Sequence, residues 1–445
     1  MTLFRVLWKR RALEGACRWT RLELERQQAQ RLIALRRFAL ERSPFYQRFH
    51  RGLENSPLDA LPVLTKAVMM EHFDDLVTDR AIRLADAEGF LRASPAVGDL
   101  FRQRYVVLAT SGSTGRRGVF LFDSQEWLTA LAMITRPMAW AGLTGGLRTP
   151  PRSAMIASTT SSHYSARISA SLSSRLLPAL QLDAAEPLVT IVRRLNEWQP
   201  EVLAVYPSVL KQLADEQIAG NLKIHLRSVA TSAEVLPEAT RRPVRQAWGL
   251  RVFDTYGATE YAPIAAECAY GRKHLFEDGA IIEVVDDRGR PVPAGVRGDR
   301  LLLTVFNRRT QPLIRYEMSD MVRQLEGECE CGRKFRLIES IEGRIEDVLC
   351  FPHRDGRSEP VSVHPNVFHQ VLETVPAAGW QVRQNDDGLL VSLAHLQDDS
   401  VCESLSASLR HVLEMQGAAV GAIRVRGVDV LERGATGKAP LILRG

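Results

Sequence analysis

Residues 201–234 read EVLAVYPSVLKQLADEQIAGNLKIHLRSVATSAE, and this stretch decides the fold class. Its first apolar run, EVLAVYPS, is typical of a buried strand. The run leads into a segment with apolar residues at helical spacing, PSVLKQLADEQIAG, and then into a second apolar run, LRSVATSAE. A strand, a helix and another strand in this order predict two parallel strands with a helix packed on their face.

The same alternation continues on both sides of this stretch. Further strands are predicted at RSAMIAS (152–158) and RVFDTYG (251–257), and further helices at PLVTIVRRLNEW (187–198) and LPEATRRPVRQAWG (236–249). The sequence therefore predicts an α/β fold, in which parallel or mixed sheets are flanked by helices. Ligands of such sheets bind at the carboxyl ends of the strands.

The pattern of predicted strands and helices changes towards the C-terminus. After about residue 280 it predicts hairpin-like strands, AIIEVVDDRGRPVP and RLLLTVFN, and further on a small α+β unit with a helix at SVCESLSASLRHVLEMQ. We therefore expect a large domain at residues 1–345 and a small domain at residues 346–445. A length of 445 residues agrees with more than one domain.

Composition narrows the class of protein. Apolar residues make up 45% and charged residues 25% of the chain, as in an ordinary soluble protein. No apolar run approaches the roughly 18–20 residues that cross a bilayer, and MTLFRVLWKRR does not read as a secretory signal. Six cysteines in a chain of this length do not suggest a disulfide scaffold, so we expect reduced thiols and a cytoplasmic protein.

Positive charge is concentrated at the N-terminus. Residues 1–50 hold 12 Arg or Lys against 4 Glu, although the whole chain has a net charge of only +6. This basic helical arm could bind nucleic acid or an anionic membrane, dock an acidic protein, or simply present a solvated helix surface. We expect no specific nucleic-acid partner.

A glycine- and serine-rich stretch, TSGSTGRRG (110–118), follows the apolar run YVVLA. Its backbone amides, hydroxyls and arginines could form a phosphate cradle. The stretch lacks the Gly-Lys pair of the common nucleotide-binding loop, and a plain turn remains the alternative. It follows a predicted strand, as YGATE (256–260) does, and both could open into one crevice.

Four stretches in order carry a family resemblance: TSGSTGRRG, YGATE, RYEMSD (315–320) with IEGRIEDVL (341–349), and ATGKAP (435–440). Their order and spacing resemble the adenylate-forming superfamily of acyl-CoA synthetases, peptide-synthetase adenylation domains and luciferases. Within it, SPFYQRF, PLIRYEMSD and a C-x-C-G-R segment are similar to the phenylacetate–coenzyme A ligase group. The resemblance covers nearly the whole chain.

The resemblance implies an ATP site and a role for each motif. Glu260 would hold Mg²⁺, Thr259 would contact the α-phosphate, Asp320 would accept hydrogen bonds from the ribose, and Arg344 would lie near ribose and phosphate. Tyr256 would stack beside adenine. The remaining implied nucleotide contacts are Gly257 and Ala258 of YGATE, Ala233 and Glu234 beside the purine, and Ser111, Gly112, Ser113, Thr114 and Gly115 over the β- and γ-phosphates.

The resemblance also implies a moving small domain. Lys438 would be the cation that this domain delivers to the incoming carboxylate and the α-phosphate. The alternative is an ordinary exposed lysine in a surface loop. Rotation of the small domain would take place at Glu346 and Asp347, where glutamate departs from the aspartate that the family has at the hinge.

Four side chains form a candidate metal site: Cys268, His274, Cys329 and Cys331. Three sulfurs and one imidazole suit tetrahedral Zn²⁺ in a structural role, and members of the phenylacetate ligase group often carry such a cluster. The alternative is four unrelated reduced side chains.

The substrate and the acceptor are the least defined parts. His163, Tyr164 and Tyr206 are candidates for the acid pocket, with core packing as the alternative, and a small, aromatic carboxylic acid is expected. The acyl group would pass to the thiol of coenzyme A or to the phosphopantetheine of an acidic acyl carrier protein. An amine acceptor is a further alternative, and so is a non-catalytic relative that only binds nucleotides or nucleic acid.

Overall fold

A computed structural model describes most of the chain. No helix within the described residues is long and apolar enough to cross a membrane. The described residues are 2–93, 95–110, 117–140, 151–172, 178–233, 236, 238–341, 349–363, 366–372, 374–375, 377, 379–394, 396, 398, 400–429, 431–432 and 442–444.

Helices occur along the whole length of the described chain. In order they are α1 (Thr2–Glu14), α2 (Arg21–Arg42), α3 (Pro44–Phe49), α4 (Lys66–Glu71), α5 (Phe73–Leu76), α6 (Leu84–Arg92), α7 (Ser124–Ile134), α8 (Arg136–Trp140), α9 (Tyr164–Leu172), α10 (Leu188–Trp198), α11 (Pro207–Ile218), α12 (Glu238–Trp248), α13 (Asn366–Leu372) and α14 (Val401–Met415).

Strands begin after the N-terminal helices and continue to the end of the chain. In order they are β1 (Val106–Ala109), β2 (Val119–Phe122), β3 (Ser153–Ala157), β4 (Ala179–Asp183), β5 (Val202–Val205), β6 (Ser228–Ser232), β7 (Val252–Tyr256), β8 (Ala265–Glu267), β9 (Lys273–Leu275), β10 (Ala280–Val285), β11 (Arg297–Gly298), β12 (Arg300–Val305), β13 (Tyr316–Met318), β14 (Val322–Leu325), β15 (Leu337–Ile341), β16 (Leu349–Phe351), β17 (Val361–Val363), β18 (Gly379–Asn385), β19 (Gly388–Ala394), β20 (Ala422–Val428) and β21 (Ile442–Arg444).

The largest sheet of the described chain has the strand order β11-β14-β15-β9-β8-β7-β6-β5-β3-β4. Its half from β4 to β7 is parallel, and the pairs beyond β7 are antiparallel. Strand β5 lies beside β6 with α11 between them in the chain, as residues 201–234 predict. The predicted α/β class, with mixed sheets flanked by helices, is confirmed.

Helices α10, α11 and α12 cover the parallel half of this sheet. They bury Leu195, Leu213 and Val244 in one cluster with strand residues such as Leu203 and Val229, all of them fully buried. Strands covered by helices read as continuous apolar runs rather than as an alternating pattern. Because these strands are buried in this way, their apolar runs could be recognised as strands in the sequence.

Strand β1 differs from the expectation. It pairs with β2 in an antiparallel two-stranded sheet and is not part of the large parallel sheet. A short apolar run has the same sequence pattern in both settings. Thr110 and Gly118, the two described ends of the glycine-serine stretch, therefore lie next to paired antiparallel strands.

The basic N-terminal segment consists of α1, α2 and α3, and several of its side chains bind the body of the protein. Arg21 forms an ion pair with the fully buried Glu277 at 2.9 Å. Arg36 donates hydrogen bonds to backbone carbonyls of residues 53, 54 and 56, and the Tyr46 hydroxyl donates to the Pro312 carbonyl. Part of the positive charge is thus paired within the molecule.

The C-terminal elements have their own core. Strands β20, β19, β18 and β21 form a mixed sheet, and α14 buries Leu405, Leu409 and Leu413 in a cluster with Val382 and Val391 of that sheet. The expected domain boundary at residues 345/346 lies outside the described residues, so the division into two domains stays a prediction.

Candidate active site

The YGATE motif forms a tight turn where the sheet changes from parallel to antiparallel, between β7 and β8. The Ala258 amide donates to the Tyr261 carbonyl at 3.1 Å and closes the turn. A Cβ on Gly257 would lie 3.0 Å from the Cβ of Ala262, so the close approach at this position favours glycine. Thr259 is half-buried in the turn, and Glu260 is only 5% exposed.

Two tyrosines connect YGATE with RYEMSD in a reciprocal way. The Tyr256 hydroxyl donates to Oδ2 of Asp320 at 2.9 Å. The Tyr316 hydroxyl donates to Oε1 of Glu260 at 3.0 Å. Each motif therefore supplies the hydrogen-bond donor for the carboxylate of the other, and both carboxylates are buried. A buried carboxylate needs such partners.

Arg315 fixes the backbone next to Tyr316. Its φ is 50°, in the left-handed region that arginine rarely adopts. Its guanidinium donates to the carbonyls of Asp59 and Leu61 at 2.9 and 2.5 Å and forms an ion pair with Glu283 at 3.1 Å. These contacts hold β13 in register with the segment before α4, where Leu64 bridges Tyr316.

Ala233 also has an unusual backbone. It follows β6, the strand next to β7, with φ at 73°. A left-handed alanine costs roughly 1–2 kcal/mol, and such strain persists mostly where the surroundings or a function require it. Ala233 is the predicted purine contact, and its partner in that prediction, Glu234, lies outside the described residues.

The glycine-serine stretch is described only at its two ends. The Thr110 amide donates to the Gly118 carbonyl at 2.9 Å, and the Gly118 amide donates to Thr110 Oγ1 at 2.8 Å. Arg117 donates to Ser162 Oγ at 2.8 Å, which ties this end to the segment before α9. The predicted nucleotide and catalytic residues that lie outside the described residues are Ser111, Gly112, Ser113, Thr114, Gly115, Arg344 and Lys438, together with the hinge residues Glu346 and Asp347.

A small cavity adjoins Glu260. Aromatic side chains of Phe122 and Tyr164 line it, together with the aliphatic surface of Met133 on α7. Charged side chains line it as well: Glu260, Glu126 and Arg308. His163, Tyr164 and Tyr206 were predicted to contact the acid. Among the described residues that line this cavity, Tyr164 is present and the other two are not.

His163 and Tyr206 meet instead at Ser158, just beyond β3. His163 Nδ1 lies 2.7 Å from Ser158 Oγ, and the Ser158 amide donates to the Tyr206 hydroxyl at 3.1 Å. The two side chains thus hold the end of β3, next to the segment that carries Tyr164.

Three buried residues of this site were not anticipated from the sequence. Glu126 caps α7 and accepts hydrogen bonds from the amides of Arg309 and Thr310 at 2.5 and 2.7 Å. Arg308 stacks over Phe122, with its guanidinium carbon 3.7 Å from the ring centroid. Tyr316 lies in the recognised motif RYEMSD, but its hydrogen bond to Glu260 was not predicted. The spacing of Asp123 and Glu126 is that of a capping box, which predicts a helix start but not a buried site. No sequence pattern distinguishes Arg308 from an arginine on the surface.

The four candidate zinc ligands converge in a second site. Their ligand atoms all lie within 4.8 Å of one another. Cys268 Sγ lies 3.6 Å from Cys329 Sγ, and Cys331 Sγ lies 3.2 Å from His274 Nε2. Two thiolates on one tetrahedral zinc with bonds of about 2.3 Å are separated by about 3.8 Å. The spacing therefore suits ligands that share a metal ion.

Local structure explains this convergence. Cys268 and His274 flank the turn between β8 and β9, and Cys329 and Cys331 lie in the connection between β14 and β15. Antiparallel pairing of β9 with β15 brings the two hairpins together. Burial lowers the pKa of His274 to about 4 and raises the pKa of Cys329 to about 12. The imidazole is thus neutral, as a metal ligand must be, whereas binding of a metal by Cys329 would require the loss of its thiol proton.

Comparisons with known proteins agree with these motifs. The family model described as AMP-binding enzyme matches residues 102–302, which include both the glycine-serine stretch and YGATE. The chain is 26% identical over 376 residues to the phenylacetate–coenzyme A ligase of Thermus thermophilus, covering 80% of this chain and 76% of the relative. It is 28% identical over 318 residues to the phenylacetate–coenzyme A ligase of Pseudomonas putida, covering 68% of each.

The fold resembles that of a crystal structure of 2-hydroxyisobutyryl-CoA ligase in an open conformation, in complex with 2-HIB-AMP and CoA. The TM-score is 0.55 at 20% identity, with 93% of this chain and 90% of the other covered, and this likeness bears on the fold alone. The family model, the ordered motifs and the two sequence relatives together support the adenylate-forming superfamily of AMP-binding enzymes, and within it the phenylacetate–coenzyme A ligase-like group.

Proposed function

We propose that this enzyme uses ATP to activate a small carboxylic acid as an acyl-adenylate and then transfers the acyl group to a thiol. The observation that carries the proposal is the reciprocal bonding of the two motif carboxylates, Glu260 by Tyr316 and Asp320 by Tyr256. In this superfamily the equivalent carboxylates serve the metal and the ribose of one nucleotide, which requires them to be held in a fixed relation to each other.

Glu260 is the proposed ligand for Mg²⁺. One of its oxygens accepts the Tyr316 hydrogen bond, which leaves the carboxylate a second oxygen for a metal ion. Mg²⁺ is commonly bound by one or two carboxylates together with substrate phosphates and water, so this donor fits. When bound, the metal would neutralise the charge that develops on the phosphates.

The acid would lie in the cavity beside Glu260, with its carboxylate facing the nucleotide. The carboxylate oxygen attacks the α-phosphorus, pyrophosphate leaves, and the mixed anhydride remains bound. Because two anions meet, positioning and fixed positive charge must supply most of the catalysis. Lys438, outside the described residues, is the proposed mobile cation. The aromatic lining by Phe122 and Tyr164 supports an aryl or arylacetic acid.

The proposed acceptor is a thiol, either coenzyme A or the phosphopantetheine of a carrier protein. The relatives named phenylacetate–coenzyme A ligase support coenzyme A. The segment at residues 350–368, CFPHRDGRSEPVSVHPNVF, differs from the turn that follows the hinge in such ligases. This difference is the reason to test a carrier protein as the acceptor as well. In both cases the thiol attacks the same anhydride carbonyl and releases AMP.

We also propose that Cys268, His274, Cys329 and Cys331 bind one structural Zn²⁺. Four protein ligands leave no open coordination position, which is the mark of a structural rather than a catalytic site. The ion would hold the β8–β9 hairpin against the β14–β15 connection.

The test is acid-dependent ATP–pyrophosphate exchange across a panel of carboxylic acids, followed by single-turnover transfer to coenzyme A, to a carrier protein and to an amine. We expect exchange with at least one acid and a decrease of about 10²–10³ in the Glu260→Gln variant. Glu317→Gln is the control, because Glu317 is next to Tyr316, the partner of Glu260, but forms an ion pair with Arg300 instead. Nucleotide binding without exchange for any acid would refute the proposal and favour a non-catalytic binder.

A further inference from the structure

A buried cation lies against the proposed acid cavity. Arg308 is 2% exposed, and its guanidinium covers the face of Phe122 at 3.7 Å. It follows β12 in a short turn, in which its amide donates to the Val305 carbonyl. Burial lowers the pKa of Arg308 from its ordinary value, but arginine keeps its charge in proteins. A buried charge of this kind requires compensation.

The protein supplies little hydrogen bonding to this guanidinium. Its Nη2 lies 3.4 Å from Gln311 Oε1, a long contact, and its Nε and Nη1 have no hydrogen-bond partner among the described residues. The nearby carboxylate of Glu126 accepts instead from the amides of Asp123, Arg309 and Thr310. Glu126 therefore stabilises the charge of Arg308 by electrostatic attraction and not by a hydrogen bond.

A second donor on the same cavity is also unpaired. The Tyr164 hydroxyl is buried and has no hydrogen-bond partner among the described residues. Its ring is held edge-on by Trp127 and Phe122, with centroids at 5.5 and 6.4 Å. Buried donors are nearly always satisfied, so two unpaired donors on one cavity indicate that a ligand supplies the acceptor.

We infer that the acid substrate carries a second oxygen function, a hydroxyl, carbonyl or second carboxylate, which accepts hydrogen bonds from Arg308 and Tyr164. The inference rests on the proposed function and narrows its substrate class. A carboxylate would fit best, because the planar guanidinium forms charge-assisted bonds with it. A site built to bond a polar substituent can reject the analogue that lacks it by about 10⁴-fold.

The cavity also limits the size of the acid. Its open volume is about 20 Å³, which is room for one water molecule. An acid must therefore displace lining side chains, of which the unbranched Met133 is the most adaptable.

The test compares matched acids in the pyrophosphate exchange assay with the full-length protein. Butyrate, 4-hydroxybutyrate and succinate form one set, and phenylacetate with its hydroxylated and carboxylated analogues forms the other. We expect kcat/KM to be at least about 100-fold higher for the best substituted acid in a set than for the unsubstituted one. The highest kcat/KM for the unsubstituted acids would overturn this inference alone. No exchange with any acid would overturn the proposed function and this inference with it.

Two variants identify the responsible side chains. Arg308→Met should reduce the preference for the substituted acid to near unity, and Tyr164→Phe should reduce it about tenfold, both with an unchanged KM for ATP. Arg309→Met is the control, because that neighbouring side chain is exposed and lies over Phe38. An equal loss with every acid and a raised KM for ATP in Arg308→Met would overturn the inference, since Arg308 would then serve the triphosphate. If Arg308→Met fails to fold, Tyr164→Phe and the wild-type preference decide.

Discussion

The hydroxyl of Tyr316 lies 3.0 Å from Oε1 of Glu260, although Tyr316 belongs to β13 and Glu260 to the turn after β7, 56 positions away. Tyr316 is fully buried and meets Phe120 edge-on, so the core holds its ring in place. The bond therefore fixes the orientation of the carboxylate at the end of β7. As the proposed metal ligand, Glu260 would therefore be oriented before the metal binds.

Tyr316→Phe should weaken the response to Mg²⁺ while the fold is retained. Loss of a partner that orients a metal ligand typically lowers metal affinity about 10- to 100-fold. The measurement is pyrophosphate exchange as a function of Mg²⁺ concentration, in which we expect a higher half-saturating concentration and a similar maximal rate. Tyr105→Phe is the control, because its hydroxyl also bonds a carboxylate, that of Asp79, in a different part of the structure. Equal Mg²⁺ curves for the wild type and Tyr316→Phe would contradict the role given to Tyr316.

Asp320→Asn should affect the nucleotide more than the acid. An amide can still accept a hydrogen bond from Tyr256, but it offers the ribose one acceptor oxygen in place of a charged pair. We expect the dissociation constant for ATP to rise about tenfold, as for the loss of a charge-assisted hydrogen bond. Calorimetry with ATP and Mg²⁺ measures the change. A change in KM for the acid alone would assign Asp320 to the other substrate.

Lys438→Ala should separate binding from chemistry. If Lys438 is the mobile cation, acid-dependent pyrophosphate exchange should fall about 10²- to 10³-fold, while ATP binding changes little. Lys223→Ala is the matched control, since Lys223 is an exposed lysine on the connection between α11 and β6. Near-normal exchange in Lys438→Ala would remove the assignment.

The alternation of strands and helices could be predicted because it is a local property of the sequence. Apolar runs of parallel strands and the amphipathic pattern of α10 and α11 both depend on residues near one another in the chain. The hairpin of β1 and β2 could not be distinguished in this way. A four-residue apolar strand has the same pattern in a small antiparallel sheet as in a large parallel one.

The motifs of the site could be predicted from the sequence, but the hydrogen bonds between the motifs could not. The four residues Tyr256, Glu260, Tyr316 and Asp320 are visible in two motifs with the same spacing of tyrosine and acid. That each tyrosine bonds the acid of the other motif depends on how β7 and β13, in different sheets, meet in the fold. Arg308 was missed for the same reason, because its burial depends on contact with Phe122 in β2.

Removal of zinc should destabilise the protein without changing which acid it uses. Cys331→Ser should lower the zinc content from one equivalent towards zero, and the free energy of unfolding by about 3 kcal/mol, comparable to the loss of a cross-link that closes a long loop. Metal analysis and urea unfolding measure the two quantities. Cys350→Ser is the control, because Cys350 is exposed in β16. Zinc-free protein with unaltered stability would refute the structural role.

Stability at acid pH should depend on His50, at the end of α3. Its side chain is 1% exposed and lies against the rings of Tyr46 and Phe49. Burial lowers the pKa of His50 to about 4, with a smaller contribution from the positive charge of Arg36 and an opposing one from Glu54. The unfolded chain has a histidine pKa of about 6.5. Between these two values the unfolded state binds a proton that the folded state does not.

The free energy of unfolding should therefore fall as the pH falls from about 6.5 towards 4, and the contribution of His50 should be fully present above that window. For a shift of this size, His50 accounts for a loss of about 2 kcal/mol between pH 7 and pH 5. Urea unfolding at both pH values should show a smaller loss in His50→Gln than in the wild type, by about that amount. His225→Gln is the control, because His225 is exposed. The same pH dependence in His50→Gln as in the wild type would show that His50 is protonated equally in both states, because a group contributes to the pH dependence only when folding changes its proton binding.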